Sequence, residues 1–263
     1  MVCEEADEYA GDFLTGRGGV WYSFRGKKAC CMDSILREGF AELGVPASEA
    51  SISALKQYYS LLDERNRVMN LTAIKGEEDT ARLHFLDCGA LLAHVPLAGK
   101  RLADIGAGAG FPGLVLKILE PRMELTMIDS LQKRVAFQQE VVDALSLAGV
   151  TCLAGRAEEQ SALRGGFDVV TSRAVARLSM LAELCLPLVK RGGVFVAMKG
   201  PDPEDEVKEA ARGLALLGGH ETKIVKYTVP GTDAVHSLVI VKKTAPTPPQ
   251  YPRAFAKIKK QPL

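Results

Sequence analysis

The apolar positions of the chain fall into two regimes. From Asp33 to about His94 they recur every three or four residues, as Ile35, Leu36 and Phe40, then Ile52, Leu55, Tyr58, Tyr59 and Leu62, then Leu83, Leu86, Leu91 and Leu92. Each set makes one apolar stripe on a helix and predicts three helices forming a small cap. From Arg101 onward, short apolar runs near 101–105, 124–128, 150–154, 167–172, 193–198, 222–228 and 236–241 predict strands, with helical stretches near 112–119, 131–147, 178–189 and 203–217 between them. Such alternation predicts a parallel sheet covered on both faces. The turn Pro230-Gly231-Thr232-Asp233 is too short for a crossover, so the last two strands are expected to pair antiparallel. The expected architecture is α/β: a mostly parallel seven-stranded sheet ending in an antiparallel hairpin, with an N-terminal helical cap. Residues 1–31 carry no sustained period and are expected to be a disordered extension, with Met32 as the functional start. The divisions then fall at 32–97 for the cap, 98–243 for the sheet domain and 244–263 for a Pro-rich tail.

One stretch carries chemistry. Leu102 to Gly113 reads as a buried strand that breaks into a glycine loop and then a helix, with Gly106, Gly108 and Gly110 free to take positive φ and to let a ligand approach the backbone. Pro112 suits the first turn of the helix. Two cofactor classes use such a loop. The residues GAGFPG from Gly108, with Asp129 downstream, fit a dinucleotide site. Asp104, two residues before the first glycine, argues against a pyrophosphate there, and Pro112 removes an N–H that a phosphate would want. S-adenosylmethionine has no phosphate and carries a sulfonium and an ammonium group, so an acid beside the loop favours it.

Composition narrows the setting. In 263 residues with a net charge of +1, no apolar run is long enough to span a bilayer, and Glu4, Glu5, Asp7 and Glu8 stand where a secretory signal would be apolar. The six cysteines form no C-x-x-C pair and no Cys/His cluster, which predicts a reduced, cytoplasmic setting with neither metal nor membrane. The charge is uneven. Lys242, Lys243, Arg253, Lys257, Lys259 and Lys260 follow one another with no acid between them, interleaved with Tyr251 and Phe255. Such a tail is either a solvated terminus or a segment that lies on RNA.

The motifs NRVMNLTAI (66–74), HFLDC (84–88), DIGAGAGFPG (104–113), DSLQKRVAF (129–137), RAEE (156–159), SRAVARL (172–178), AMKG (197–200) and the closing YPRAFAKIKKQPL occur in this order. Together they resemble the glucose-inhibited division protein B family, the methyltransferases G of small-subunit ribosomal RNA, from roughly Asp33 to Leu263. The resemblance implies a Rossmann-like class I methyltransferase fold, S-adenosylmethionine as cofactor, and transfer of a methyl group to N7 of one guanine in 16S rRNA, free or within the small ribosomal subunit. It also implies roles. Asp104, Gly106, Gly108 and Phe111 would hold the methionine and ribose portion, Asp129 the ribose hydroxyls, and Ala157 with Glu158 the adenine. Arg173 and Lys199, at strand ends on the ligand edge, would act on the acceptor, Arg173 also touching the cofactor. From their place at a helix start near the ligand edge, at a strand end and in the basic tail, Lys133, Arg134, Lys199, Arg253 and Lys257 are expected to meet RNA, with a solvated first turn as the plainer alternative for Lys133 and Arg134. The plainer alternatives are an N-cap for Asp129, a solvated acid for Glu158, a structural ion pair for Arg173 and a solvent-reaching strand end for Lys199. His84 and Asp87, one turn apart, are either a core pair or part of the RNA cleft, and His94, His220 and His236 fall in no metal arrangement. Because N7 offers a lone pair and no proton, the transfer is expected to be nearly flat from about pH 6 to 8. An NAD-dependent oxidoreductase and a non-catalytic RNA-binding protein on the same fold are the rival readings.

Overall fold

The computed structural model describes residues 31–263, so all but the last residue of the expected extension lies outside the described residues. Seven strands form one sheet in the order β3-β2-β1-β4-β5-β7-β6, comprising β1 (Arg101–Ile105), β2 (Glu124–Asp129), β3 (Val150–Ala154), β4 (Phe167–Arg173), β5 (Val189–Lys199), β6 (Gly219–Thr228) and β7 (Val235–Lys243). The pairs through β5 are parallel, while β7 pairs antiparallel with both β5 and β6. This is the expected sheet, hairpin included. The strand β5 begins four residues earlier than the apolar pattern suggests. Val189 already pairs with Phe167, and the polar Lys190-Arg191-Gly192 stretch, with Gly192 at φ +85, produces a register shift that the pattern alone hides.

Side chains alternate between two cores because successive strand residues point to opposite faces. Leu102, Val169, Val196 and Leu238 enter one core, while Ala103, Val170, Phe195, Ala197 and Val239 enter the other. The first core is shared with the cap: α1 (Met32–Glu42), α2 (Glu49–Met69) and the helical segment that starts as α3 (Glu77–Thr80), passes through a π-helical stretch Ala81–Leu86 and continues as α4 (Asp87–Gly89). The helices α5 (Gly113–Leu119) and α6 (Gln132–Ala144) lie on the same side. The second core is closed by α7 (Leu178–Cys185), α8 (Glu204–Leu216) and the C-terminal α9 (Phe255–Lys260).

The tail does not lie free. Arg253 is locked to Glu183 of α7, a carboxylate with no exposure, through its own N–H and its guanidinium, with the closest contact at 2.6 Å. Arg164 donates to the carbonyls of Thr247, Pro248 and Tyr251, Ile258 is buried, and Leu263 packs against Gly213. Lys243 is buried and donates to Leu186 O and Thr247 Oγ1, and Lys242 pairs with Glu221. Lys243 and Arg253 are therefore committed inside the protein, Lys242 sits in an exposed pair with Glu221, and Lys257, Lys259 and Lys260 are exposed.

Candidate active site

The glycine loop is held from three sides. Gly106, Gly108 and Gly110 have φ of +70, +60 and +103, a region that L side chains rarely adopt. Gln138 of α6 donates to Gly108 O at 2.8 Å, and the Gly108 N–H donates to Asp129 Oδ2 at 2.9 Å. From the cap, Tyr58 Oη donates to Ala109 O, and its ring stacks on Phe111 at 5.4 Å. The opposite face of the Phe111 neighbourhood is filled by His84, stacked at 4.2 Å, and by the Arg173 guanidinium 5.1 Å from the ring centre. The cap is thus part of the loop's support.

Asp104 corrects the sequence reading. It is fully buried, accepts from the Gly113 N–H at 2.8 Å and does not line the cleft that the loop opens into. Its role is to fix the start of α5, and burial raises its carboxyl to about 7. Chain order alone puts an acid here beside a cationic ligand, whereas the strand's alternation turns it inward.

That cleft, of about 390 Å³, is lined by Gly106, Gly108, Phe111, Asp129, Ala157, Glu158 and Arg173, which were expected there, and by Arg134 and Phe255, which were not. Asp129 accepts from Gly108 N and Leu131 N, one bond on each oxygen, so it caps no helix by side chain and each oxygen keeps a lone pair for a ligand. Glu158 is more informative. Its side chain is 6% exposed, its Oε1 has no hydrogen-bond partner, and burial raises its carboxyl above the usual range. A buried acceptor without a donor is costly unless a ligand supplies one, and an exocyclic amine does so. Arg134 sits 3.5 Å from Asp129, inside this cleft and not on an outer RNA face, while Lys133 is exposed. Phe255 comes from α9, its ring 4.5 Å from the Arg156 guanidinium. The tail thus supplies a wall of the cleft, where the interleaved aromatics had suggested contact with RNA.

A second cleft of about 360 Å³ lies beside the first and shares His84, Arg173 and Ala174 with it. Arg173 is 15% exposed and donates to Asp87 Oδ2 at 3.0 Å, Leu83 O at 3.1 Å and His84 Nδ1 at 2.6 Å. It is both a structural ion pair and a cleft residue, two readings that the sequence sets apart. Having accepted at Nδ1, His84 gives its Nε2–H to Thr72 Oγ1 at 2.8 Å, and burial beside Arg173 depresses its imidazole to about 3, so it stays neutral. Asp87 also receives Tyr227 Oη at 2.7 Å and His236 Nδ1 at 2.6 Å. Burial opposes its charge, but the hydrogen bond from His236 and the Arg173 guanidinium hold its carboxyl below the ordinary value. The sequence pairs His84 with Asp87; the partners Thr72, Tyr227 and His236, distant in the chain, carry no local signal. Lys199 lines this cleft but donates to Glu206 at 2.7 Å and Ala176 O at 2.8 Å, leaving one of its three N–H groups free, where a free cation for guanine or phosphate was expected. Among the described residues no cluster of metal ligands occurs, and no helix is long and apolar enough to cross a membrane.

The chain matches the GidB family model, rRNA small subunit methyltransferase G, over residues 51–233. The Ribosomal RNA small subunit methyltransferase G of Clostridium botulinum is 41% identical over 88% of this chain and 98% of its own length. That of Exiguobacterium sp. is 45% identical over 84% of this chain and 94% of its own. A solved structure from Methanococcus maripaludis, ascribed to S-adenosyl-L-methionine-dependent methyltransferases, covers 72% of this chain and 94% of its own at a TM-score of 0.52 and 12% identity, a likeness of fold. With the glycine loop, the two adjoining clefts and relatives matched over nearly their whole length, this chain belongs to the rRNA small subunit methyltransferase G family.

Proposed function

We propose that the chain transfers the methyl group of S-adenosylmethionine to N7 of a guanine in 16S rRNA, with the cofactor in the first cleft and the guanine in the second. The observation that carries this reading is the shared wall of His84, Arg173 and Ala174, which sets two ligand-sized clefts side by side. The residues fit the cofactor: the orphan oxygen of Glu158 would accept from its amine, Asp129 has lone pairs left that would take ribose hydroxyls, and Gly106 and Gly108 would leave room beside the backbone for the amino-acid portion. When bound, the cofactor supplies an electrophilic methyl group on a sulfonium. The protein's own contribution is position and dryness. Arg173, fixed by four hydrogen-bonded or stacking partners, sets the width of the wall, and neutral His84 adds no charge beside a cationic sulfur. Lys257, Lys259 and Lys260, exposed on α9 beside the first cleft, supply phosphate contacts.

The test is transfer of labelled methyl by the full chain onto small-subunit RNA, followed by mapping of the modified base. Label on N7 of one guanine is expected. Label at another atom, or none while the dinucleotide NADH binds tightly, would overturn the reading.

A further inference from the structure

The second cleft contains one titratable side chain with an unused face. His236 is the second residue of β7, its Nδ1 is 2.6 Å from Asp87 Oδ1, its ring meets the Tyr227 ring edge-on at 6.2 Å, and 22% of the side chain is exposed. Ionised Asp87 only accepts, so Nδ1 carries the hydrogen and the neutral ring leaves Nε2 as a lone-pair acceptor. Among the described residues Nε2 makes no hydrogen bond. The charged and titratable groups around it each have a partner within the protein, and only Lys199 keeps an N–H to spare. Asp87 and His84 on the helical segment and Arg173 on β4 hold one another, Lys199 on β5 is bound to Glu206, and on β6 Tyr227 is bound to Asp87 and Lys226 to Asp202 and Glu204.

The place of His236 in the cleft is fixed by Asp87. Arg173 Nη1 lies 3.0 Å from Asp87 Oδ2 and His236 Nδ1 2.6 Å from Asp87 Oδ1, so one carboxylate ties the shared wall to the β7 side. Both residues line the second cleft with Lys199 of the intervening β5, and a base that enters with N7 towards the wall turns its N1–H edge away from it, the edge for which the unused Nε2 is an acceptor.

We propose that His236, oriented by Asp87, accepts the N1–H of the target guanine at Nε2, so that one residue both selects guanine and assists the transfer. This rests on the reading of the second cleft as the guanine site. As the N7 lone pair forms its bond to the methyl carbon, the carbon–sulfur pair leaves with the sulfur, which ends neutral, and the purine takes the positive charge. Its N1–H becomes far more acidic in consequence. The hydrogen bond to neutral imidazole therefore strengthens as the bond forms, which is stabilisation confined to the transition state. The N1 proton stays shared with Nε2 or passes to it, and the charge is then spread towards Asp87. Adenine would present a lone pair to a lone pair and be rejected. Protonated His236 would present a donor to a donor.

The sign of the pH dependence follows. The hydrogen bond to Asp87 raises the imidazole above its ordinary 6.5, outweighing burial and the repulsion of Arg173. The neutral form is lost as pH falls through that raised value, and the rate should fall with it, in place of the flat profile that N7 chemistry alone predicts.

The experiment is single-turnover transfer by the full chain from pH 5.5 to 8.5, with His236→Asn beside the wild type. Asparagine keeps a donor near the position of Nδ1, so Asp87 stays partnered, but offers no acceptor at Nε2. The wild-type rate should climb about tenfold per pH unit to a plateau, and the variant should be roughly 100-fold slower there, with a flat profile. Affinity for S-adenosylhomocysteine by calorimetry should not change. In a second arm the target is 1-methylguanine, which the wild type should refuse and the variant should treat like guanine. A wild-type rate that is flat or falls with rising pH, or acceptance of 1-methylguanine by the wild type, overturns the proposal, and both are read without the variant. Absence of any N7 label in the wild type would instead sink the proposed function.

Discussion

At the scale of single residues, the first cleft makes a prediction that separates binding from folding. Glu158 keeps a buried oxygen without a donor, so the protein without ligand bears its desolvation. Glu158→Ala should weaken S-adenosylhomocysteine binding by about 1–1.5 kcal/mol, roughly tenfold, while the urea midpoint stays level or rises. Calorimetry and denaturation on one preparation check both, and a lower midpoint with unchanged affinity would make Glu158 structural. Arg173 behaves otherwise. Arg173→Lys keeps the charge but not the fork that spans Asp87, Leu83 O and His84, so the transfer rate should drop at least tenfold with cofactor affinity nearly unchanged. Of these residues, those on the loop and strand ends are legible in the sequence because local order places them. Asp104 is not, because its inward turn depends on strand alternation, and neither is His236, whose meaning comes from Asp87, far away along the chain.

At the scale of elements, the order, type and pairing of the strands are readable in the sequence, since two buried faces and a short terminal turn leave few other solutions, while bounds in the sheet domain shift by up to four residues, as at the start of β5. The tail is not. Proline and lysine describe a solvated segment in isolation, and only the pocket around Glu183 shows what Arg253 is for. Arg253→Ala would leave a wholly buried carboxylate without its partner and should cost about 3–5 kcal/mol, read as a lower denaturant midpoint. Glu183→Gln should cost less, because an amide is cheaper to bury uncharged. Removal of residues 249–263 is therefore expected to lower stability and cofactor affinity together. The salt dependence of RNA binding should respond instead to Lys257→Ala, Lys259→Ala and Lys260→Ala combined, its log–log slope becoming shallower by roughly 0.7 to 0.9 for each phosphate that is no longer neutralised.

At the scale of the whole molecule, two buried groups, one lining the first cleft and one beneath the glycine loop, set opposite responses to acid. His84, near 3 in the folded chain against 6.5 unfolded, binds its proton only on unfolding between those values, so stability is lost as pH falls through that window. Asp104, near 7 against 3.8, holds its proton in the folded state, so stability is gained as pH falls from 7 to about 4. Each slope is about 1.4 kcal/mol per pH unit, and between pH 4 and 6.5 they cancel. Asp104→Asn, which still accepts from Gly113, should make the protein lose stability as pH drops from 6.5 to 4.5. His84→Asn should make it gain. Denaturant midpoints at three pH values measure both, and parallel curves for all three proteins would refute the pairing. The order of the chain has a further consequence, for biosynthesis. Phe255 is a wall of the first cleft, yet it lies eight residues from the C-terminus. In chain order the glycine loop, the cap and all seven strands precede Phe255, so this wall is the last part of the first cleft to be synthesised, twelve residues after the sheet's final strand ends at Lys243.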